Sequence, residues 1–167
     1  MMLPYTRWFI LLSTLLVSAC SEPPESLQAA QKAMAIESHE ECHLCGMIID
    51  GFPGPKGQLY ERGEQESFKF CSTRDMFAYL LDPEHQHAIQ TAYVHDMATT
   101  HWNNPDDEIF IDARKAWYVV GHNKKGAMGP TLASFADENV ANAFAQQYGG
   151  HIIDFSGINQ KLLLNME

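Results

Sequence analysis

Residues 66–83 read E-S-F-K-F-C-S-T-R-D-M-F-A-Y-L-L-D-P, and their interpretation decides the fold. Residues 66–71 have the composition of a strand. Ser72 then opens a helix: S-T-R-D, with Asp75 three residues on, resembles a capping box. Met76, Phe77, Leu80 and Leu81 supply the apolar face, and Pro83 stops the helix. A strand that runs directly into a capped helix is the end of a ββα unit. Working backwards, Gly63 separates this strand from another at residues 58–62. The turn-rich loop G-F-P-G-P-K-G (51–57) precedes that, and residues 46–50 read as a further strand.

The same order recurs downstream, as an internal duplication would require. Residues 117–120 (W-Y-V-V) form a strand, followed by the glycine- and proline-bearing loop H-N-K-K-G-A-M-G-P (122–130). A short strand spans 132–135. Asp137 caps a helix over 138–148, which Gly149-Gly150 ends. Residues 92–96 and 108–113, between the halves, and 151–155 at the end also read as strands. The expectation is an α+β fold of two small related ββα-type lobes, about 39–90 and 91–167, with mixed or antiparallel sheets.

The chain begins with a segment that has no part in this fold. Arg7 provides a positive start, residues 8–16 are apolar, and small residues follow at Ser18 and Ala19. That pattern is a secretory signal, residues 1–19, too short for a comfortable membrane span. V-S-A-C (17–20) resembles the bacterial lipobox, which makes Cys20 the lipidated first residue. Ser21 after it favours the outer membrane, with the protein facing the periplasm. Residues 20–38 then read as a flexible tether, with a short helical piece over 27–36. The formal net charge of −10 becomes one unit more negative when the signal takes Arg7 with it. That balance argues against a nucleic-acid ligand and suits a cation or a basic partner protein.

The chemistry concentrates in E-E-C-H-L-C-G-M (40–47). A redox C-x-x-C normally opens a helix, whose N-terminus lowers the thiol pKa. Here the motif follows acidic residues and precedes a β-like segment, so a thiol-disulfide oxidoreductase fits poorly. Zinc needs four ligands, and no second pair stands at ligand spacing. The alternatives are that oxidoreductase and a non-catalytic module held by zinc or a disulfide, each using Cys42 and Cys45. Thiolate and thioether together are soft and favour Cu(I). Cys45 and Met47, at i and i+2 of an extended segment, would face one ion together, with Cys42 nearby. Met128, between glycines and a proline, is placed as a ligand or an exposed contact better than as core filler. Met97 and His101 stand one helical turn apart and would share an ion; otherwise Met97 packs and His101 meets solvent or Trp102. His122 has no companion at ligand spacing.

Taken in order, the lipobox, C-H-L-C-G-M, G-P-K-G-Q, F-C-S-T-R-D-M, V-H-D-M-A-T-T-H-W and Y-V-V-G…A-M-G-P resemble the nitrous-oxide-reductase accessory lipoproteins, the NosL family. The resemblance covers nearly the whole chain after the signal. It implies a periplasm-facing Cu(I) chaperone that serves nitrous oxide reductase beside an ABC-type membrane assembly complex, turning over no small-molecule substrate. Family ligands carry over to Cys45 and Met47, with Cys42 and Met128 as further candidates and Zn(II) as a second or competing metal. The family pattern often lacks a cysteine at the position of Cys71 and tends to serine at that of His122. Cys71 therefore reads as a buried free thiol, and His122 as an additional ligand of this chain or none.

Overall fold

The computed structural model describes residues 31–166; the signal, Cys20 and the first part of the tether lie outside the described residues. Strands β1 (Gly57–Glu61) and β2 (Phe68–Phe70) form a hairpin that leads into helix α1 (Thr73–Leu80). Strand β3 (Ile89–His95) returns antiparallel to β1, and β4 (Phe110–Asp112) extends the sheet to the order β2-β1-β3-β4. The second lobe repeats the plan. β5 (Trp117–Val120) and β6 (Ala133–Phe135) are followed by α2 (Glu138–Tyr148), and β7 (His151–Asp154) returns to β5, giving the order β6-β5-β7. Each lobe is thus a ββαβ unit whose third strand pairs with its first. All pairings are antiparallel, which resolves the choice between mixed and antiparallel sheets.

The caps explain where the helices start. The Ser72 hydroxyl accepts from the Asp75 amide at 3.0 Å, and Asp137 does the same for α2 through the Asn139 and Val140 amides. Each interaction satisfies amides that the first turn leaves without partners. A third helix, α3 (Gln160–Leu164), was not anticipated; Asn159 caps it and Leu163 anchors it in the core.

One core runs through both lobes. Phe77 of α1 packs edge-on against Tyr118 of β5 at 5.3 Å, and the Tyr118 hydroxyl donates to the Ala113 carbonyl at 2.6 Å. Thr73, the first residue of α1, bonds the Thr131 hydroxyl and donates to the Leu132 carbonyl across the junction (2.8 and 2.7 Å). The glycine loops that the two halves share meet there as well. A Cβ on Gly54 would come within 3.1 Å of the Gly126 Cα.

Three local expectations are corrected. Residues 46–50 are not a strand: Gly46 has φ +72°, and only the single bridge Glu41↔Ile48 forms. Residues 97–100 are turn and bend and His101 forms a bridge with Asn104, so Met97 and His101 do not share a helical face; Met97 packs and His101 is exposed, the other reading of that pair. Residues 31–36 contain no helix. They lie extended against the first sheet instead, where Tyr60, Lys69 and Tyr93 donate to the carbonyls of Lys32, Ala35 and Gln31.

Candidate functional site

The C-H-L-C-G-M segment is a tight turn on the open edge of the first sheet. The Cys42 amide donates to the Met47 carbonyl and the Gly46 amide to the Cys42 carbonyl, both at 2.8 Å. Gly46 takes the left-handed conformation that closes the turn, which other residues adopt at a cost. The turn is attached to β2 twice. His43 donates its amide to the Lys69 carbonyl at 2.8 Å, and its ring stacks on Phe68 with centroids 4.1 Å apart. Lys69 also pairs with Glu40, just before the turn. His43, between the two cysteines, is therefore a packing residue.

This attachment brings a third cysteine to the first two. β2 ends at Phe70, so Cys71 follows where the turn crosses the strand. The ligand atoms of Cys42, Cys45, Cys71 and Asp75 all lie within 4.8 Å of one another. Cys45 Sγ is 3.7 Å from Cys71 Sγ, and the Cys71 thiol donates to Asp75 Oδ2 at 3.1 Å. Asp75 thus turns its side chain to the thiol rather than completing the capping box. Cys42 and Cys71 are buried and Cys45 is exposed, so the cluster opens to solvent at one sulfur. Cys71 is a buried free thiol as expected, but it stands in this cluster and not apart from it. The missed signal is local: Cys71 immediately precedes a helix cap, and Asp75 sits one turn further on.

The protons are unevenly shared. Cys71 beside it, together with the Cys71 and Cys45 amides, favours the Cys42 thiolate, so the Cys42 thiol is pushed down to about 5 despite its burial. Cys71 is held well above the ordinary thiol range by its neighbour Cys42, by burial and by donating to Asp75. Cys45 is raised because desolvation of its sulfur outweighs the Met47 amide that faces it. The surroundings thus favour the thiolate at Cys42 and the thiol at Cys45 and Cys71. A metal ligand must be deprotonated, so an incoming ion meets a ready anion at Cys42 and releases protons from the others.

The remaining expected ligands are distributed as follows. Met47 is half-buried at the end of the turn, and Met128 is exposed on the junction loop whose Thr131 bonds Thr73, two residues after Cys71. Met97 is buried in a second apolar cluster with Val119, Ala133 and Phe135. His101 is exposed and lines a 610 Å³ cleft with Met97, Trp102, Lys124 and Tyr148. His122 is buried between Trp102 and Phe144. Neither His101 nor His122 belongs to the thiol cluster.

The NosL family model matches residues 33–163. A copper-binding lipoprotein NosL of Stutzerimonas stutzeri is 46% identical over 147 residues, covering 88% of this chain and 76% of the relative. One of Achromobacter cycloclastes is 34% identical over 154 residues, 89% and 77% of the two chains. Among solved structures, the copper chaperone NosL from Shewanella denitrificans matches with a TM-score of 0.76 at 52% identity, over 78% of this chain and 97% of that one. The solution structure of apo-NosL from Achromobacter cycloclastes matches with a TM-score of 0.50 at 33% identity, over 65% and 88%. On sequence, fold and extent together, the chain belongs to the NosL family.

Proposed function

We propose that the chain is a Cu(I) chaperone that supplies copper to nitrous oxide reductase outside the cytoplasm. The observation that carries this reading is the group of three cysteine sulfurs gathered within 4.8 Å, with only Cys45 open to solvent. Thiolate and thioether donors select Cu(I) over harder cations, and relatives 46% and 34% identical are named copper-binding lipoproteins. Cys42 would receive the ion as a thiolate, Cys45 and Cys71 would lose protons to it, and Met47 would add a thioether from the same turn. Met128 would reach in from the second lobe.

Delivery is ligand exchange. Cys45 is the sulfur that an acceptor's ligand reaches first, so it is the one released first. No bond in a substrate is made or broken, and the protein is not an enzyme. Lipidation at Cys20 would hold the chain at the outer membrane facing the periplasm, beside the ABC-type assembly complex of the reductase. The formal net charge of −10 suits an acceptor with a basic docking face.

A second reading has its own support. Three cysteines and a carboxylate are a complete tetrahedral zinc set, which the sequence did not reveal because Cys71 and Asp75 read as packing and capping residues. On that reading zinc is structural and the copper affinity incidental.

The deciding assay is transfer. Chain loaded with Cu(I), and separately with Zn(II), is incubated under reducing conditions with metal-free nitrous oxide reductase, and the metal on the reductase is measured. The chaperone reading expects copper to move and the Cys45→Ser chain to deliver little. Retention of both metals, with unfolding when zinc is chelated, would establish the structural reading instead.

A further inference from the structure

His122 is the buried group whose surroundings the thiol cluster does not explain. It is only 7% exposed, yet neither ring nitrogen has a hydrogen-bond partner among the described residues. The Lys124 and Thr131 backbones lie near the ring without reaching bonding geometry. A neutral imidazole carries one N–H and one lone pair. The N–H can rest against an aromatic face, and Trp102 and Phe144 meet the ring edge-to-face at 5.3 and 5.2 Å. The lone pair has no such outlet, and an unsatisfied buried polar group costs about 1–3 kcal/mol.

The ring borders a cavity of about 190 Å³ that is also lined by His151, Met166 and Thr131 and by none of the three described cysteines. The backbone explains why both histidines border this cavity. His151 is the partner of Val120 across β5 and β7, and His122 lies two residues beyond Val120. Gly150 allows the close approach: a Cβ there would fall 2.4 Å from the Val120 carbonyl oxygen and 3.0 Å from the His122 amide nitrogen.

We propose that His122, His151 and Met166 form a second Cu(I) site in the second lobe, separate from the thiol cluster. A water in the cavity would satisfy the His122 lone pair, but it would leave the second imidazole and the thioether on the same wall unused. Two imidazoles with one soft sulfur match Cu(I), which is content with three ligands, better than zinc, which takes four. The site does not depend on the thiolates, so the two assignments fail separately.

The test uses the full chain with all four cysteines changed to serine, titrated anaerobically with Cu(I) against a competing chelator and, in parallel, with Zn(II). One equivalent of Cu(I) is expected to remain bound and to be lost on adding His122→Asn or His151→Ala. No retained copper, copper indifferent to His151→Ala, or preference for zinc would overturn the proposal. Should the serine chain fail to fold by circular dichroism, His151→Ala is made in the otherwise unchanged chain. His151 is exposed, and its loss is expected to lower the copper stoichiometry from two to one. An unchanged stoichiometry would overturn the assignment.

Discussion

Cys42 and Cys71 bias each other's protonation: Cys71 favours the thiolate at Cys42, while Cys42, burial and Asp75 keep the proton on Cys71. Replacing Cys71 by alanine removes that neighbour. The Cys42 thiol should then rise from about 5 toward its ordinary 9.0, held back by the amides that still face it. Thiolate ultraviolet absorbance followed across pH measures this. With Cys71 present, a folded Cys42 pKa below the unfolded value adds stability that is full above the unfolded pKa. That stability is lost as the pH falls from 9 toward 5. Cys71→Ala should flatten this rise, whereas a rise unaffected by the substitution would remove Cys71 from the network. At this scale the sequence was half-legible. Cys42, Cys45 and Met47 stood together in C-H-L-C-G-M. Cys71 came to them through the pairing of His43 with Lys69, a contact 26 residues apart that no local pattern encodes.

Among the elements, α2 was read correctly from its Asp137 cap to its terminal residue because the cap and Gly149-Gly150 are local signals. The strand expected over 46–50 rested on the β-like residues after Gly46, but Gly46 itself is the turn glycine and not the first residue of a strand. That turn is where the site is most sensitive to backbone strain. The left-handed conformation costs a residue with a Cβ about 1–2 kcal/mol, and Gly46 has φ +72° with nothing within 4 Å of where a Cβ would stand. Gly46→Ala should therefore meet no steric clash but strain the turn. The expected result is an apo fold with unchanged circular dichroism and Cu(I) affinity lowered about tenfold, the equivalent of 1.4 kcal/mol. An affinity unchanged by this substitution would mean that the turn does not need to hold its shape around the ion.

The whole molecule is two copies of one ββαβ plan joined by a shared core and by two glycine-bearing loops, of which 51–57 leads into β1 and 122–130 joins β5 to β6. The duplication was legible because each copy runs strand, strand and capped helix in order. The junction was not, because Thr73 and Thr131 carry no signature of their mutual contact. Thr73→Val deletes a hydroxyl that bonds the Thr131 hydroxyl and the Leu132 carbonyl inside the core. Leaving those groups unpaired should cost about 1–3 kcal/mol, with the protein still melting in one transition. Two separate transitions would show that the lobes fold independently. The loop that carries Met128 is tied to the start of α1 through Thr131 and Thr73, so copper binding and lobe contact are coupled in this account. Its central claim is that the first Cu(I) ion bound is held by the sulfurs brought together at Cys42, Cys45 and Cys71. X-ray absorption at the copper edge, on the chain loaded anaerobically with one equivalent of Cu(I), tests this directly. A first shell dominated by sulfur, and lost in the Cys45→Ser, Cys71→Ser chain, is the predicted result. A shell of nitrogen and oxygen, unchanged by those substitutions, would contradict it.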